Sequence, residues 1–170
     1  MIEKKIMYGL QNIHVAKLTP NGYETPIPIE GAKNVDAELN FNVEVMKKGK
    51  GNIRFTEFKG GSGTLEVIGL TPYEYELLFG STVKDNRVTV KETDISTPFA
   101  LMFSRTNMQD EEVGYCIYKV IFKHPGILGS TITNGIATEE TIQIDFDIES
   151  NDGDIYYFDK CNYDFFYKIN

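Results

Sequence analysis

Apolar and polar residues alternate without a miss over residues 35–45, with Val35, Ala37, Leu39, Phe41, Val43 and Val45 set against Asp36, Glu38, Asn40, Asn42 and Glu44. A period of two is the signature of a β-strand with one face toward a core and the other toward water. At about 3.3 Å per residue this strand spans roughly 36 Å, well beyond the usual five or six residues, and such length suits a large curved sheet. The pattern recurs where Ile142, Ile144, Phe146 and Ile148 alternate with Gln143, Asp145 and Asp147, again apolar on one face and acidic on the other. Weaker strand patterns fall at residues 13–18, 53–58, 64–68, 87–90, 99–104, 115–122 and 155–158. Between them stand turn-forming clusters at residues 20–22, 60–63 and 151–154. Many short strands with frequent turns predict a β-sandwich or barrel.

One helix interrupts this pattern. Thr71 is placed to cap it, Pro72 occupies the first helical position, where its missing N–H is harmless, and Glu74 completes a capping box three residues after the cap. Tyr75, Leu78 and Phe79 fall on one side, and Gly80 is suited to end the helix in a left-handed conformation. The expected fold is therefore mainly β, a curved sandwich with one short helix at about 71–79 and extended loops.

A chain of 170 residues with 41% hydrophobic and 25% charged side chains is globular and of single-domain size. The predicted organisation is one domain over residues 1–170, with an N-terminal arm at 1–12, an extended basic loop at 46–62 and a C-terminal segment at 150–170. No apolar run approaches the 18 or so residues that span a bilayer, and the charge and apolar order of a signal peptide is not visible. The formal charge of −8 repels phosphate and argues against a general nucleic-acid binder. Charge is also unevenly placed. Lys47, Lys48, Lys50, Arg54 and Lys59 stand against Glu57 alone, with Gly49 and Gly51 loosening the segment, whereas residues 139–170 carry nine carboxylates against Lys160 and Lys168.

Catalytic chemistry has few parts to work with. His14 and His124 are the only histidines, and a nucleophile pair of Cys116 with His124 would still need an orienting third group. Cys116 and Cys161 make neither a disulfide framework nor a zinc site and are expected to be reduced, buried thiols. Asp145, Asp147, Glu149, Asp152 and Asp154 invite calcium, but in an EF-hand frame position six is Asp152 and the glycine arrives one residue late at Gly153. The better reading is a solvated acidic strand face running into an Asp-Gly turn. The glycines at 49, 51 and 60–63 lack the Gly-Lys-Ser/Thr context of a phosphate loop. No catalytic residue, metal or cofactor is expected.

Taken in order, the segments resemble the major tail proteins that build the tube of long, flexible, non-contractile phage tails, in the group common among phages and prophages of Gram-positive bacteria. The series opens with Tyr8-Gly9-Leu10-Gln11-Asn12-Ile13-His14-Val15-Ala16 and continues through Pro26-Ile27-Pro28 to Gly31-Ala32 and the long alternating strand. It passes through Gly63-Thr64-Leu65-Glu66, Leu70-Thr71-Pro72 and Leu77-Leu78-Phe79-Gly80. It ends with Phe99-Ala100-Leu101-Met102-Phe103 and Tyr118-Lys119-Val120-Ile121-Phe122. The likeness covers roughly residues 7–150; residues 47–59 and those from 154 onward depart from it.

What the resemblance implies is a structural virion protein, not an enzyme, assembled as hexameric rings stacked into a tube through which DNA passes as transient, non-specific cargo. It would meet the tape measure, tail terminator and distal tail proteins of the same phage, assemble in the host cytoplasm, reside in the virion tail and touch no membrane. The acidic strand faces, with Asp36, Glu38, Glu44, Asp145 and Asp147, would then line the lumen. The basic residues Lys47, Lys48, Lys50, Arg54 and Lys59 would reach a neighbouring subunit and meet carboxylates there, with Glu139, Glu140, Asp152, Asp154 and Asp159 as candidates. The alternatives are a tube protein of a contractile tail, tailocin or secretion-type machine, and a β-sandwich binding module.

Overall fold

The computed structural model describes residues 6–129, 140–162, 164–167 and 169. The elements run β1 (Met7–Thr19), β2 (Gly22–Tyr23), β3 (Ile27–Pro28), β4 (Ala32–Lys48), β5 (Gly51–Val67), α1 (Pro72–Phe79), β6 (Thr82–Lys84), β7 (Arg87–Thr89), β8 (Phe99–Asn107), β9 (Glu112–Phe122), β10 (Ile142–Ile148) and β11 (Tyr156–Lys160). Nine of these strands form one antiparallel sheet ordered β2-β1-β8-β9-β10-β5-β4, with β3 also on β1 and β11 also on β9; β6 and β7 make a separate hairpin. Among the described residues the sheet curls without closing into a barrel, and β4 remains an open edge. No helix among the described residues is long and apolar enough to cross a membrane.

The alternating patterns explain the packing. On β10, Ile144, Phe146 and Ile148 are buried and meet Leu65 and Val67 of β5, Val15 of β1, Phe99 and Leu101 of β8, and Val120 and Phe122 of β9 in the main core. Helix α1 seats Leu78 and Phe79 in that core. Its capping box forms as the sequence predicts: the Glu74 N–H donates to Thr71 Oγ1 at 3.3 Å, and the Thr71 N–H donates to Glu74 Oε2 at 2.6 Å. Gly80 closes the helix at φ 70°, with its N–H on the Glu76 carbonyl. A second, smaller cluster joins Ala16, Ala100, Met102 and Cys116 to Phe165 and Phe166 of the C-terminal segment. The strands therefore bury side chains on both faces in this region, which a clean period of two does not announce.

Three sequence expectations need correction. Residues 46–62 are not an extended loop: β4 and β5 pair continuously from Ala32–Val67 to Lys48–Gly51, and only a tight turn around Gly49 and Lys50 separates them. The Gly60-Gly61-Ser62-Gly63 segment does not break the chain but lies inside β5, where Gly61 and Gly63 face a side of the sheet that leaves no room for a Cβ; one added at Gly61 would lie 2.5 Å from the Glu38 carbonyl, and one at Gly63 2.4 Å from the Asp36 carbonyl and 2.4 Å from the Phe146 ring. The arm at 1–12 enters the sheet from Met7, which pairs with Asn107, and bulges near Gly9 and Asn12 absorb its irregular register through positive φ angles of 63° and 55°.

Candidate assembly surface

The outer half of the β4–β5 hairpin leaves the body of the protein. Its cause is local: between Leu39 and Phe41 the partner strand steps from Gly61 to Phe58, and the extra residue is taken up around Gly60 at φ 93°. Such a bulge bends a strand out of its sheet. β10 supports β5 only from Gly61 to Val67, so the segments on either side of the turn stand as a two-stranded arm. From Phe41 to Lys47 the arm reaches about 23 Å at 3.3 Å per residue.

Beyond the bulge the apolar face predicted for residues 35–45 no longer meets the core. Val35 and Leu39 pack against it, whereas Phe41, Val43 and Val45 remain 52%, 56% and 55% exposed. This corrects the expectation that the whole strand face is buried. Met46, Ile53 and Phe55 are exposed as well. In antiparallel register Glu44, Met46, Ile53 and Phe55 share one face of the arm, and Phe41, Val43, Val45 and Phe58 share the other. Phe41 and Phe58 touch at 5.4 Å between ring centroids. An isolated two-stranded hairpin is at best marginally stable in water, and one greasy on both faces with open edges is a template for further pairing.

At the tip stand the predicted basic residues. Lys47, Lys48, Lys50 and Arg54 are exposed, and among the described residues none of them pairs with a carboxylate. Lys59 lies at the root and is held by Glu57 at 2.7 Å.

The predicted acidic residues separate into a shelf and outliers. Asp36, Thr64 and Asp145 align across β4, β5 and β10, and Glu38, Ser62 and Asp147 form the next row. Two columns of carboxylates thus flank a central strand of small hydroxyl side chains, leaving a shallow trough of about 320 Å³ lined also by Lys123. Lys123 Nζ holds Asp147 at 2.7 Å, and Lys119 holds Glu149 at 2.7 Å, so two of the carboxylates proposed for calcium are already engaged. Glu44 does not join the shelf; it sits on the arm opposite Phe55 and accepts from the Asn42 amide.

The candidate acidic partners are dispersed. Glu140 borders an apolar groove with Ile68, Val90, Ile127 and Leu128 at the helix end of the sheet. Asp152 and Asp154 sit in the turn closed by the Asn151–Asp154 bridge, and Asp159 lies on β11. Glu139 lies outside the described residues.

The two thiols and two histidines make no joint site. Cys116 is buried in the second cluster, and burial pushes its thiol up to about 12; partly buried Cys161 is pushed to about 11 by desolvation, then by the Glu112 carboxylate. Burial likewise raises the Tyr157 phenol beside Cys116 and takes the Tyr23 phenol to about 12. His124 instead lies tilted against Phe79 with ring centroids 4.7 Å apart, and Ser81 Oγ and Asp94 Oδ2 are 3.5 Å and 3.9 Å from the same Nε2. Serine and carboxylate on one nitrogen leave no relay through the ring, so this is not a nucleophile, base and orienter in series.

The candidate surface that the sequence pattern did not reveal is the apolar arm itself. Its signal was present in the sheer length of the alternation at 35–45, read there as core. No family model and no curated protein matches the sequence. Among solved structures, the chain is similar to the tube-terminating cap of an anti-feeding prophage, seen by cryo-electron microscopy, at 13% identity over 92% of this chain and 94% of that one, with a TM-score of 0.47.

Proposed function

We propose that this chain is a structural subunit that polymerises through its β4–β5 arm, and specifically that it is the major tube subunit of a long, non-contractile phage tail. The observation that carries the reading is the arm: about 23 Å of paired strand with apolar side chains on both faces and unpaired lysines at the tip. A surface of that kind is stable in water only when something covers it, and a second copy is always at hand. The tail assignment adds the motif series described above, in which a long strand, a capped short helix ending in glycine and two further strands follow in order.

In this reading the subunits close into hexameric rings that stack, and the acidic shelf of Asp36, Glu38, Asp145 and Asp147 faces the lumen. Repeated around a ring, it presents a negative wall along which DNA phosphates slide without binding. The protein makes no catalytic contribution, needs no cofactor and works in the virion tail beside tape measure, terminator and distal tail proteins. The same arm and shelf would serve a contractile tail, a tailocin or a secretion-type tube, and the non-contractile tail is the finer member of that class.

The test is electron microscopy of the purified chain over a concentration series, beside the triple variant Lys47→Glu, Lys48→Glu and Lys50→Glu. Wild type is expected to form rings or hollow rods and the triple variant to stay a folded monomer. A wild type that remains monomeric at every concentration refutes the proposal. Lysines at the four shelf positions should leave assembly intact and make empty tubes bind DNA in a salt-dependent way; shelf-lysine tubes without added DNA affinity at low salt refute the lumen assignment.

A further inference from the structure

The bulge that sends the arm out of the sheet also leaves a fork behind it. β8 pairs with β9 from Thr106–Glu112 to Phe99–Val120 and so fills one side of β9. β10 and β11 must therefore share the other side, β10 on residues 120–122 and β11 on residues 113–117. They are two segments of one position in the sheet, running in the same direction. β5 lies beside β10; continued in plane, its residues 51–59 would lie beside β11. They do not, because the strand bends away at Gly60. Among the described residues β11 is consequently paired on one side only.

The hydrogen bonds show which groups are left open. Tyr118 donates to the Ile155 carbonyl at 3.0 Å and Cys161 donates to the Glu112 carbonyl at 2.9 Å, so odd-numbered residues of this segment turn their backbone toward β9. Tyr156, Phe158 and Lys160 turn theirs outward. The Lys160 N–H is taken by the Asp159 carboxylate at 2.7 Å, leaving the N–H groups of Tyr156 and Phe158 facing the fork. Beside Tyr156, between β4, β8, β9 and β11, lies an apolar cavity of about 210 Å³ lined by Ala37, Leu39, Phe103, Tyr115, Ile117 and Tyr156. Phe158, 61% exposed, extends this lining through its ring contact with Tyr115.

We infer that the fork is the receptor for the arm of a second copy, whose β4 edge adds to the free edge of β11. The inference rests on the self-assembly reading and says where on the neighbour the arm sits. Three features select this occupant. Among the described residues, and apart from the arm's own β5, β4 is the long open edge, and its segment from Phe41 to Lys47 is long enough to cover all of β11 from Tyr156 to Lys160. Its Phe41, Val43 and Val45 row presents β-branched and aromatic side chains to the Tyr156 and Phe158 row, a favourable cross-strand pairing. Charge agrees: the tip carrying Lys47, Lys48 and Lys50 arrives in the segment that holds Asp152, Asp154 and Asp159 against Lys160. Strand addition also satisfies backbone groups on both partners at once, giving affinity that side-chain packing alone would not.

The experiment uses full-length chain in a Cys161→Ser background, with one added cysteine per protein. One protein carries Val43→Cys, Val45→Cys or Lys47→Cys on the arm, the other Phe158→Cys, and a third control carries Ile127→Cys in the groove at the helix end. Proteins are mixed, assembled, oxidised and run on non-reducing gels with mass spectrometry of the linked peptides. At least one arm position should cross-link to residue 158 of the other protein at ten times or more the level of any arm-to-arm or arm-to-127 product. Independently, Phe158→Pro, which removes the outward N–H, should raise the concentration needed for assembly at least tenfold over Phe158→Ala. Rods that form while cross-links run arm to arm or arm to residue 127, or proline and alanine variants that assemble alike, overturn the fork assignment and leave the self-assembly reading standing. A chain that never assembles overturns both.

Discussion

Replacing Val43 and Val45 by aspartate separates what the arm does for the folded subunit from what it does for the assembly. Both residues are a little over half exposed in the subunit, so about half of their burial energy is still available. Fully burying a valine contributes about 1.5–3 kcal/mol, which leaves roughly 1 kcal/mol each to be gained on assembly. Aspartate forfeits that gain and adds the cost of desolvating a charge, at least about 1 kcal/mol more at each site. The double variant should then lose about 4 kcal/mol per contact, close to a thousandfold rise in the concentration needed for assembly. The subunit should remain folded, since at each site an exposed substitution changes stability by about 0.5 kcal/mol and aspartate's poor strand propensity adds at most about 1 kcal/mol. Over two sites in a chain of this size the melting temperature should fall by no more than about 12 °C. Light scattering across a dilution series reads the first quantity and calorimetry of the dilute subunit the second. Normal assembly of the double variant, or a collapse of the melting temperature, would refute the reasoning.

Leu39→Asp places a charge against the core and should yield insoluble protein, whereas Phe41→Asp, two residues on and beyond the bulge, should fold with near wild-type circular dichroism. Gly63→Ala forces a methyl into the Asp36 carbonyl and the buried Phe146 ring, and should lower stability by about 1–3 kcal/mol in a urea melt, with Gly126→Ala, where a Cβ meets only open space, as the milder comparison. Cys116 has its thiol raised by burial to about 12, so the folded protein should resist alkylation there at pH 8. The sign of the linkage follows: the folded state holds the proton longer than the unfolded chain, so this contribution to stability is complete below the ordinary thiol value of 9.0 and is lost as pH rises from there toward 12, measurable as a falling urea midpoint absent in Cys116→Ala.

Elements whose local chemistry and tertiary setting agree were legible from residues alone. The capping box at Thr71 and Glu74, the left-handed Gly80 and the buried row of β10 all form as their spacing requires. The errors share one cause. Alternation reports that a strand has two unlike faces, but not what covers the apolar one, so Phe41, Val43 and Val45 read as core when they stand more than half exposed on the arm. The lysines and glycines at 47–51 looked like an extended loop because turn residues and charges are rare in strand interiors; only Gly49 and Lys50 make the turn, while Lys47 and Lys48 pair with Asn52 and Gly51 as the ladder runs out to its tip. The acidic shelf was half visible: both carboxylate rows could be named, but only the sheet order places Asp36 beside Asp145 across Thr64.

The open edge of β4 also bears on how efficiently subunits are used. A 17-residue strand paired on one side only most readily finds its twin, and two such edges meeting antiparallel would give a closed, inert dimer. With the twofold axis at Asn40, that encounter sets Asp36 of each copy opposite Glu44 of the other, carboxylate against carboxylate on both sides of the axis. Like charges directly opposed across a strand pair are destabilising. The alternating acids of β4 thus discourage this register of the symmetric dead end while leaving the same edge free for an unlike strand, so that in the assembly proposed above fewer chains would be lost to dimers that cannot grow.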